Sequence, residues 1–506
     1  MFFEIFKIAL LLDILVVKAI NYYYTAAVFE YHTENYEKDP ILVTAFKNLR
    51  VYRKVTVLAA LNEADIIVFP EYGLYPFVSR EKFKIVAQDI PDPKYVHWNP
   101  CVNSLNYQNI SIAKELSCMA RQSNIYLVAN IISVVSCKSE SHCPSDNIFL
   151  YNTNVVFDRR GYLVARYRKF HVYKETGIDK PRKSEFVIFK TDFGTFGTFI
   201  CYDLNWIQAV ELLQKFKIDT IVYTAWWGGE LPSLISIQRY FSWAAHFNVN
   251  MLASNKNIPS TGTTGSGIFR GASSDSYIYN PNGKNRLILA KVARRGTKIP
   301  VNDTFKIFEF GNNHSGNNLS SGICSIKILG PPKNEFDYRC NEEDLSDYTL
   351  MKLHKIIGSI TACNNGLCCK LTYKITNFHR EEYYLAVRND TFKLEGTPVC
   401  VETCMMVRCD SYGGKRCSVF PTAAKTVFEE VSIKANFSTV YIYPNILTSG
   451  VQLMNLSQWH FNDNSILLKN TTDKPLLTVS LFGRCYSRDL PNQYNVHFNK
   501  ATYKYK

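Results

Sequence analysis

Residues 196–203 read FGTFICYD, and the fold of the first half of the chain can be inferred from this stretch outward. The apolar run 196–200 predicts a buried strand that stops at Cys201, and apolar residues then follow at helical spacing in 206–216. The same alternation of short β-branched runs and longer helical stretches extends from Tyr24 to about Lys291. Strands that alternate with helices predict an α/β domain in which helices cover a sheet.

The segments of this first region can be assigned one by one. Strands are predicted at residues 25–29, 66–69, 125–130, 151–157, 163–167, 196–200, 220–224 and 251–254, where the series closes, and helices at 110–122, 206–216 and 234–248. The strands 151–157 and 163–167 are separated only by the sequence DRRG, which predicts a hairpin. The sheet should therefore be mixed.

The composition and the predicted secondary structure change from about Asn302. Residues 311–322 are rich in Gly, Asn and Ser and predict an exposed loop. Short β-rich runs follow at 370–376, 383–388, 439–443 and 477–482. We therefore expect a leader at 1–19, an α/β domain at 20–300, a connecting region at 301–340 and a smaller, mostly β, disulfide-rich domain at 341–506.

The N-terminus predicts export. Lys7 precedes an apolar run from Ile8 to Val17, and Val17 and Ala19 are the small residues expected before a cleavage site. The chain ends without an apolar tail, so we expect a secreted, extracellular protein with no membrane anchor. The net charge of +14 comes from scattered Lys and Arg, which argues against a nucleic-acid partner. Eight glycosylation sequons agree with export, at Asn109, Asn302, Asn313, Asn318, Asn389, Asn436, Asn455 and Asn470.

The 15 cysteines suit an oxidising compartment, and an odd number leaves one thiol over. Cys101 with Cys118, and Cys137 with Cys143, are close enough in sequence for local bridges. The cysteines of the last third include pairs with loosely zinc-like spacing, but no paired histidines accompany them, so disulfides are favoured over a metal site. Cys201 stands apart from the others and is the natural free thiol.

Three reactive residues follow predicted strands, namely Glu71, Lys169 and Cys201. Ligands of open sheets bind in the crevice at the carboxyl ends of strands. A thiolate there can attack an amide carbon, with a glutamate as the base and a lysine stabilising the oxyanion. Gly194 and Gly197 are expected to permit tight turns before Cys201, and the Tyr202 N–H to join the oxyanion hole. This chemistry needs a small-molecule amide and no metal or cofactor.

Other interpretations of these residues stay open. Glu71 could be a surface residue or a helix cap, Lys169 could be solvated, and Cys201 could be an inert buried thiol. His171 invites a cysteine-protease arrangement with Cys201. For Asp203 we prefer a cap for the helix that starts near Trp206 over a role in orienting backbone near Cys201. A silent binding glycoprotein is a further alternative.

The motifs around the three residues resemble the signature segments of the nitrilase superfamily. These are FPE at 69–71, YRKF at 167–170 and TFICYD at 198–203. The vanin and biotinidase branch is closer still, through the segments DIPDP at 89–93, WNPC at 98–101, LSC at 116–118, YNTNVVFD at 151–158, LASN at 252–255 and TGSGIF at 264–269. The cysteine-rich tail resembles that branch's C-terminal domain.

This resemblance implies an α-β-β-α sandwich followed by a vanin-type β domain. It implies Glu71 as proton acceptor, Lys169 as proton donor and oxyanion stabiliser, and Cys201 as nucleophile. Superfamily members often carry a second glutamate after the lysine, and Glu175 is the candidate at a slightly shifted spacing. The implied reaction is hydrolysis of a linear amide that releases a vitamin acid, with pantetheine as first choice and biotinyl amides as second. Residues 226–229, WWGG, could line the pocket or pack in the core.

Overall fold

The computed structural model describes residues 23–33, 39–103, 110–138, 140, 142–258, 261–271, 276–279, 283–295, 305–310, 342–412, 414–462, 464–469 and 474–489. The predicted leader and five of the sequons lie outside the described residues, namely those at Asn109, Asn302, Asn313, Asn318 and Asn470.

The first part of the chain alternates strands and helices as its sequence predicts. Its strands are β1 (Tyr23–Glu30), β2 (Ile66–Val68), β3 (Gln88–Asp89), β4 (Tyr126–Ser136), β5 (Ile148–Phe157), β6 (Leu163–Arg168), β7 (Ile188–Thr191), β8 (Gly194–Ile200), β9 (Thr220–Ala225), β10 (Asn250–Asn255), β11 (Ser266–Arg270), β12 (Ser276–Ile278), β13 (Asn285–Ala293) and β14 (Lys306–Phe310). Its helices are α1 (Ile41–Leu61), α2 (Arg80–Val86), α3 (Ser111–Ser123), α4 (Ile207–Lys215) and α5 (Ser236–Phe247). Each strand and helix predicted in this region forms, within a few residues of its expected bounds.

One prediction about this region is wrong. The strand series does not close at residue 254, because β11, β12, β13 and β14 follow. β13 is a long apolar strand that pairs antiparallel with β1, bringing Ala290 opposite Ala26. Residues 306–310, which the sequence places in the connecting region, extend the same sheet as β14.

Two mixed sheets build the first part. One has the order β14-β13-β1-β2-β4-β5-β6, with β3 also paired to β4, and the other has the order β12-β11-β10-β9-β8-β7. β1, β2 and β4 run parallel. β5 and β6 form the predicted antiparallel hairpin.

Alternation along β1 shows how the layers are held together. Ala26 and Val28 point into a core shared with the second sheet, whereas Ala27 and Phe29 point into a core shared with α1, α2 and α3. Helices α4 and α5 contribute to the core of the second sheet. The result is the α-β-β-α sandwich implied by the resemblance, and each fully buried Val or Phe contributes about 1.5–3 kcal/mol to it.

The second part is antiparallel β-structure. Its strands are β15 (Thr349–Lys352), β16 (Ile357–Asn364), β17 (Leu367–Asn377), β18 (Tyr383–Leu394), β19 (Thr397–Arg408), β20 (Asp410–Tyr412), β21 (Lys415–Val419), β22 (Val427–Ala435), β23 (Ile442–Thr448), β24 (Gln452–Leu453), β25 (Trp459–Asn462), β26 (Ser465–Lys469) and β27 (Leu476–Arg484). Its two larger sheets have the orders β15-β18-β19-β27-β23-β24 and β16-β17-β22-β26-β25. Three of the four predicted runs lie within strands, whereas the run 439–443 reaches only the start of β23.

Disulfides cross-link both parts of the chain, and four of the six described bridges lie in the second part. The bridges are Cys101–Cys118, Cys137–Cys143, Cys363–Cys368, Cys369–Cys404, Cys400–Cys485 and Cys409–Cys417. The first two are the predicted local pairs, and Cys369–Cys404 links the two larger β sheets of the second part. The cysteines with zinc-like spacing are thus bridged, while Cys324 and Cys340 lie outside the described residues. Among the described helices, none has the length and apolar character needed to span a bilayer.

Candidate active site

Three reactive side chains lie where strands end. Glu71 comes shortly after β2, Lys169 directly after β6 and Cys201 directly after β8. Since β8 belongs to the second sheet and the other two strands to the first, the site forms between the facing sheets. The residues are only 1%, 3% and 7% exposed, respectively. The alternatives of a surface Glu71 and a solvated Lys169 are therefore wrong.

Both oxygens of the Glu71 carboxylate are held. Oε1 accepts hydrogen bonds from Lys169 Nζ at 2.8 Å and from Asn152 Nδ2 at 2.7 Å. Oε2 accepts the backbone N–H of Trp226 at 2.8 Å. Asn152 lies in β5 and Trp226 directly follows β9. A carboxylate fixed in this way can exchange a proton without first reorienting.

Glu175 supplies a second carboxylate to the same ammonium group. Its Oε1 lies 2.5 Å from Lys169 Nζ, and its Oε2 accepts from Tyr72 Oη at 2.6 Å and from Asn152 Nδ2 at 2.8 Å. Burial on its own lowers the pKa of Lys169, but the carboxylates of Glu175 and Glu71 outweigh it and hold that pKa well above its usual value. Lys169 is therefore a cation at neutral pH.

Cys201 is the free cysteine among the residues that the structure describes. It has a φ of 44°, which is left-handed, and it begins a short 3₁₀ helix, Cys201–Asn205. The hydroxyl of Tyr223 donates to its carbonyl at 2.8 Å and fixes the turn. Burial and the charge of Glu71 raise the pKa of the Cys201 thiol well above its usual value, against the effect of Lys169. The resting thiol is protonated, so its attack requires a nearby base.

Comparison with known proteins identifies the family of this chain. Residues 25–293 match the family described as Carbon-nitrogen hydrolase, and residues 338–489 match the Vanin C-terminal domain. Biotinidase of Homo sapiens is 34% identical over 500 residues, covering 92% of this chain and 90% of that protein. Pantetheinase of Mus musculus is 33% identical over 479 residues, with coverages of 92% and 90%. The chain belongs to the carbon-nitrogen hydrolases, in their vanin and biotinidase branch. It is thus a hydrolase that acts on carbon–nitrogen amide bonds.

Asp203 plays a different part in this hydrolase from the one we preferred on sequence. Its carboxylate accepts from the backbone N–H of Ile200 at 3.1 Å, from that of His171 at 2.8 Å and from Tyr167 Oη at 2.8 Å. The helix α4 has no side-chain cap. Asp203 therefore joins the backbone before Cys201 to the segment that follows Lys169, and the preference for a cap on that helix was wrong.

His171 is engaged away from the thiol. Its Nε2 lies 2.9 Å from Gln208 Oε1, and its ring stacks on Trp206 with centroids 4.4 Å apart. Burial lowers the pKa of His171 to about 3, so the ring is neutral at neutral pH. This geometry does not support a Cys–His protease arrangement.

The candidate site also contains residues that the sequence analysis missed. Asn152 donates to both carboxylates, and its own Oδ1 accepts from Asn130 Nδ2 at 2.6 Å. Tyr72 has a left-handed φ of 50° and donates its hydroxyl to Glu175. A signal was present, because Asn130 ends one predicted strand and Asn152 lies inside another, and an amide in a buried strand needs hydrogen-bond partners.

Two tryptophans flank the hydrolase site. Trp226 is half-buried and contributes its N–H to Glu71, while the Nε1 of half-buried Trp227 donates to the carbonyl of Leu234 at 3.0 Å. The backbone of Trp226 is thus part of the site, and the side chain of Trp227 anchors the following loop.

The three sequons within the described residues differ in their exposure. Asn436 and Asn455 are exposed, whereas Asn389 is half-buried and its Nδ2 donates to the carbonyl of Asn365 at 2.7 Å. Glycosylation modifies this nitrogen, so Asn436 and Asn455 are the better acceptors on geometry.

Proposed function

We propose that the chain hydrolyses pantetheine to pantothenate and cysteamine through a thioester on Cys201. The observation that carries the proposal is the buried ammonium of Lys169 held between Glu71 and Glu175 beside a free thiol. Several relatives that cover most of this chain are pantetheinases. Biotinidase relatives match equally well, which keeps biotinyl amides as the second candidate substrate class.

The acylation step begins with the Cys201 thiol. Its proton passes to the Glu71 carboxylate as the sulfur attacks the amide carbon. An ammonium carries three N–H groups, and two of those on Lys169 bond to carboxylates, so the third is available to the oxyanion. The Tyr202 N–H is the proposed second donor to that oxygen. Glu71 then returns the proton to the leaving amine, and the acyl group stays on sulfur.

The deacylation step uses the same groups in reverse. Glu71 takes a proton from water as the oxygen attacks the thioester carbon, and Lys169 again stabilises the oxyanion. Collapse of this intermediate breaks the carbon–sulfur bond, and the proton on Glu71 restores the thiol. Glu175 touches neither bond in this scheme; it holds Lys169 in place.

The test uses the purified full chain with pantetheine and with biocytin. We expect the wild type to release cysteamine, the Cys201→Ser variant to be inactive, and Glu71→Gln to be strongly impaired in both steps. Release of lysine from biocytin without turnover of pantetheine would move the assignment to biotinyl amides. If iodoacetamide modifies Cys201 but neither amide is cleaved, the vitamin-amide proposal fails.

Export is part of the proposal. Six disulfides in the described residues agree with an oxidising compartment. Expression in a secretory host should yield the protein in the medium, with a mass that falls after glycosidase treatment. Retention of an unglycosylated, reduced chain inside the cell would contradict it.

A further inference from the structure

Lys256 is a buried lysine that the reaction scheme leaves unused. It directly follows β10 and is 1% exposed. Its Nζ donates to the carbonyl of Tyr72 at 3.1 Å and lies 4.0 Å from the ring centroid of Trp226. In the part of the chain that the structure describes, no carboxylate forms an ion pair with it. An ammonium buried with one carbonyl and one aromatic ring is costly, so its place in the fold needs a reason.

The two groups that Lys256 contacts both position Glu71. Tyr72 is the next residue in the chain, and its left-handed backbone is also held through its N–H, which donates to Asn130 Oδ1 at 3.0 Å. Trp226 gives its backbone N–H to Glu71 Oε2 at 2.8 Å. Lys256 therefore fixes the backbone on one side of Glu71 and the residue that binds its carboxylate on the other.

Charge provides a second link between the two residues. Burial lowers the pKa of Lys256 to about 7, and the carboxylate of Glu71 acts in the opposite direction. The Glu71 carboxylate thus favours the charged form of Lys256, which is the form that holds the Tyr72 carbonyl and the Trp226 ring most strongly.

We propose, on the basis of the amide hydrolysis proposed above, that Lys256 is a positioning residue of this site. Its ammonium holds the Tyr72 carbonyl and the Trp226 ring, and through them it keeps the Glu71 carboxylate oriented toward Cys201 and Lys169.

The first test compares Lys256→Met with Lys256→Arg in the purified full chain. The Met variant keeps the length of the stem but removes the charge and the donor. Because small displacements of a catalytic group are costly, its kcat for pantetheine should fall by about 10- to 100-fold. Its KM should stay within about 3-fold, because in this proposal Lys256 acts through Tyr72 and Trp226 and does not touch the substrate, and Arg should recover part of the kcat. Lys215→Met is the matched control, since Lys215 lies 4.1 Å over the Phe186 ring away from the site, and it should behave as wild type.

A second measurement needs no substrate. The rate of Cys201 alkylation by iodoacetamide, followed by mass spectrometry, should be several-fold lower in Lys256→Met than in the wild type, because the base is misplaced. If wild type cleaves neither pantetheine nor biocytin, the substrate proposal fails, and the alkylation rates still decide the role of Lys256. A wild-type kcat and a wild-type alkylation rate in Lys256→Met would overturn the proposal that Lys256 positions Glu71. If Lys256→Met does not fold, Trp226→Phe serves instead, because it keeps the backbone N–H to Glu71 and weakens the cation–π contact with Lys256. A wild-type kcat and a wild-type alkylation rate in Trp226→Phe would overturn the proposal.

Discussion

At the scale of single residues, Asp203 connects two parts of the site that are far apart in sequence. Its carboxylate accepts three hydrogen bonds, and burial raises its pKa to about 7. Two of its donors are backbone N–H groups beside Cys201 and Lys169, namely those of Ile200 and His171. In the proposed reaction, loss of this connection would displace Cys201 and Lys169 relative to each other.

The Asp203→Asn substitution tests that connection. An asparagine side chain has only one acceptor oxygen. Its NH₂ group would replace the other carboxylate oxygen of Asp203 and face an N–H or O–H donor, so the hydrogen bond at that position would be lost. We expect the protein to lose about 1–3 kcal/mol of unfolding free energy, and kcat to fall with it. Thermal melting and pantetheine turnover measure the two effects. Unchanged melting and turnover would show that the carboxylate has no such role.

His171 gives the contrasting case of a residue beside the site that the reaction does not use. His171→Ala removes the stacking on Trp206, so stability should fall by about 1 kcal/mol or more. The value of kcat/KM should stay within about 10-fold of wild type, because the scheme passes no proton through this ring. A loss of about 10⁴-fold, comparable to removal of a triad member, would instead support the Cys–His arrangement.

The three catalytic candidates could be singled out because each follows a predicted strand, and strand ends are where sheets expose functional groups. The resemblance to the nitrilase superfamily was still needed to favour reactive over inert interpretations of these residues. Asn152, Tyr72 and Lys256 could not be assigned in this way. Their roles depend on which strands become neighbours and on the turn after β2. These are long-range properties, because Asn152 meets Glu71 across 81 positions of the chain.

At the scale of elements, Gly197 in β8 has a different role from the tight turn that the sequence predicts. Gly197 lies inside the strand, paired with Ile188, and makes no turn. A Cβ atom there would lie 2.9 Å from Ile218 Cδ1 and 3.0 Å from Leu212 Cδ2. Glycine therefore lets α4 and the segment before β9 pack closely on the strand that carries Cys201.

Gly197→Ala should consequently destabilise the protein by about 1–3 kcal/mol through overpacking. Ile218→Val removes one of the methyl groups that the new Cβ would meet, so the double variant should lose less than the sum of the single ones. Chemical denaturation of the four proteins measures the coupling. Strictly additive losses would mean that the packing explanation is incorrect.

Element prediction succeeded where a segment's own pattern was sufficient and failed where pairing was decisive. The runs that became β1, β2, β4 and β8 are mainly apolar and could be recognised from their own sequence. The apolar residues of β13 are just as clear in the sequence, at 287–290, but they follow the apparent end of the α/β pattern. Only the pairing of β13 with β1 places it in the first sheet.

At the scale of the whole molecule, the two parts of the chain meet close to the site. Arg484, in β27, donates through Nη2 to the carbonyl of Asn205 at 3.0 Å, and Asn205 ends the 3₁₀ helix that Cys201 begins. Glu343 accepts the N–H and hydroxyl of Ser233 through Oε1, at 2.6 and 2.7 Å. Ser233 belongs to the loop after β9, the loop that starts with Trp226 and its bond to Glu71. The second part thus supports both the turn that carries Cys201 and the loop whose first residue binds Glu71.

Glu343→Gln tests this contact through its pH dependence. Burial raises the pKa of Glu343 to about 7 in the folded protein, against 4.5 as its ordinary value, with the hydrogen bonds from Ser233 acting in the opposite direction. Between these two values the folded state holds a proton that the unfolded state has released, so the carboxyl's contribution to stability declines as the pH rises from about 4.5 to about 7 and is constant above. Glutamine keeps the acceptor oxygen and does not titrate. The unfolding free energy of the wild type minus that of the variant should therefore fall by about 1–2 kcal/mol between pH 5 and pH 8. This is less than the full pKa shift implies, because the half-buried carboxyl keeps some solvation. Denaturant unfolding at four pH values gives this difference directly, because the two proteins share every other ionisable group. If the difference stays constant with pH, Glu343 lies in solvent rather than at the junction of the two parts.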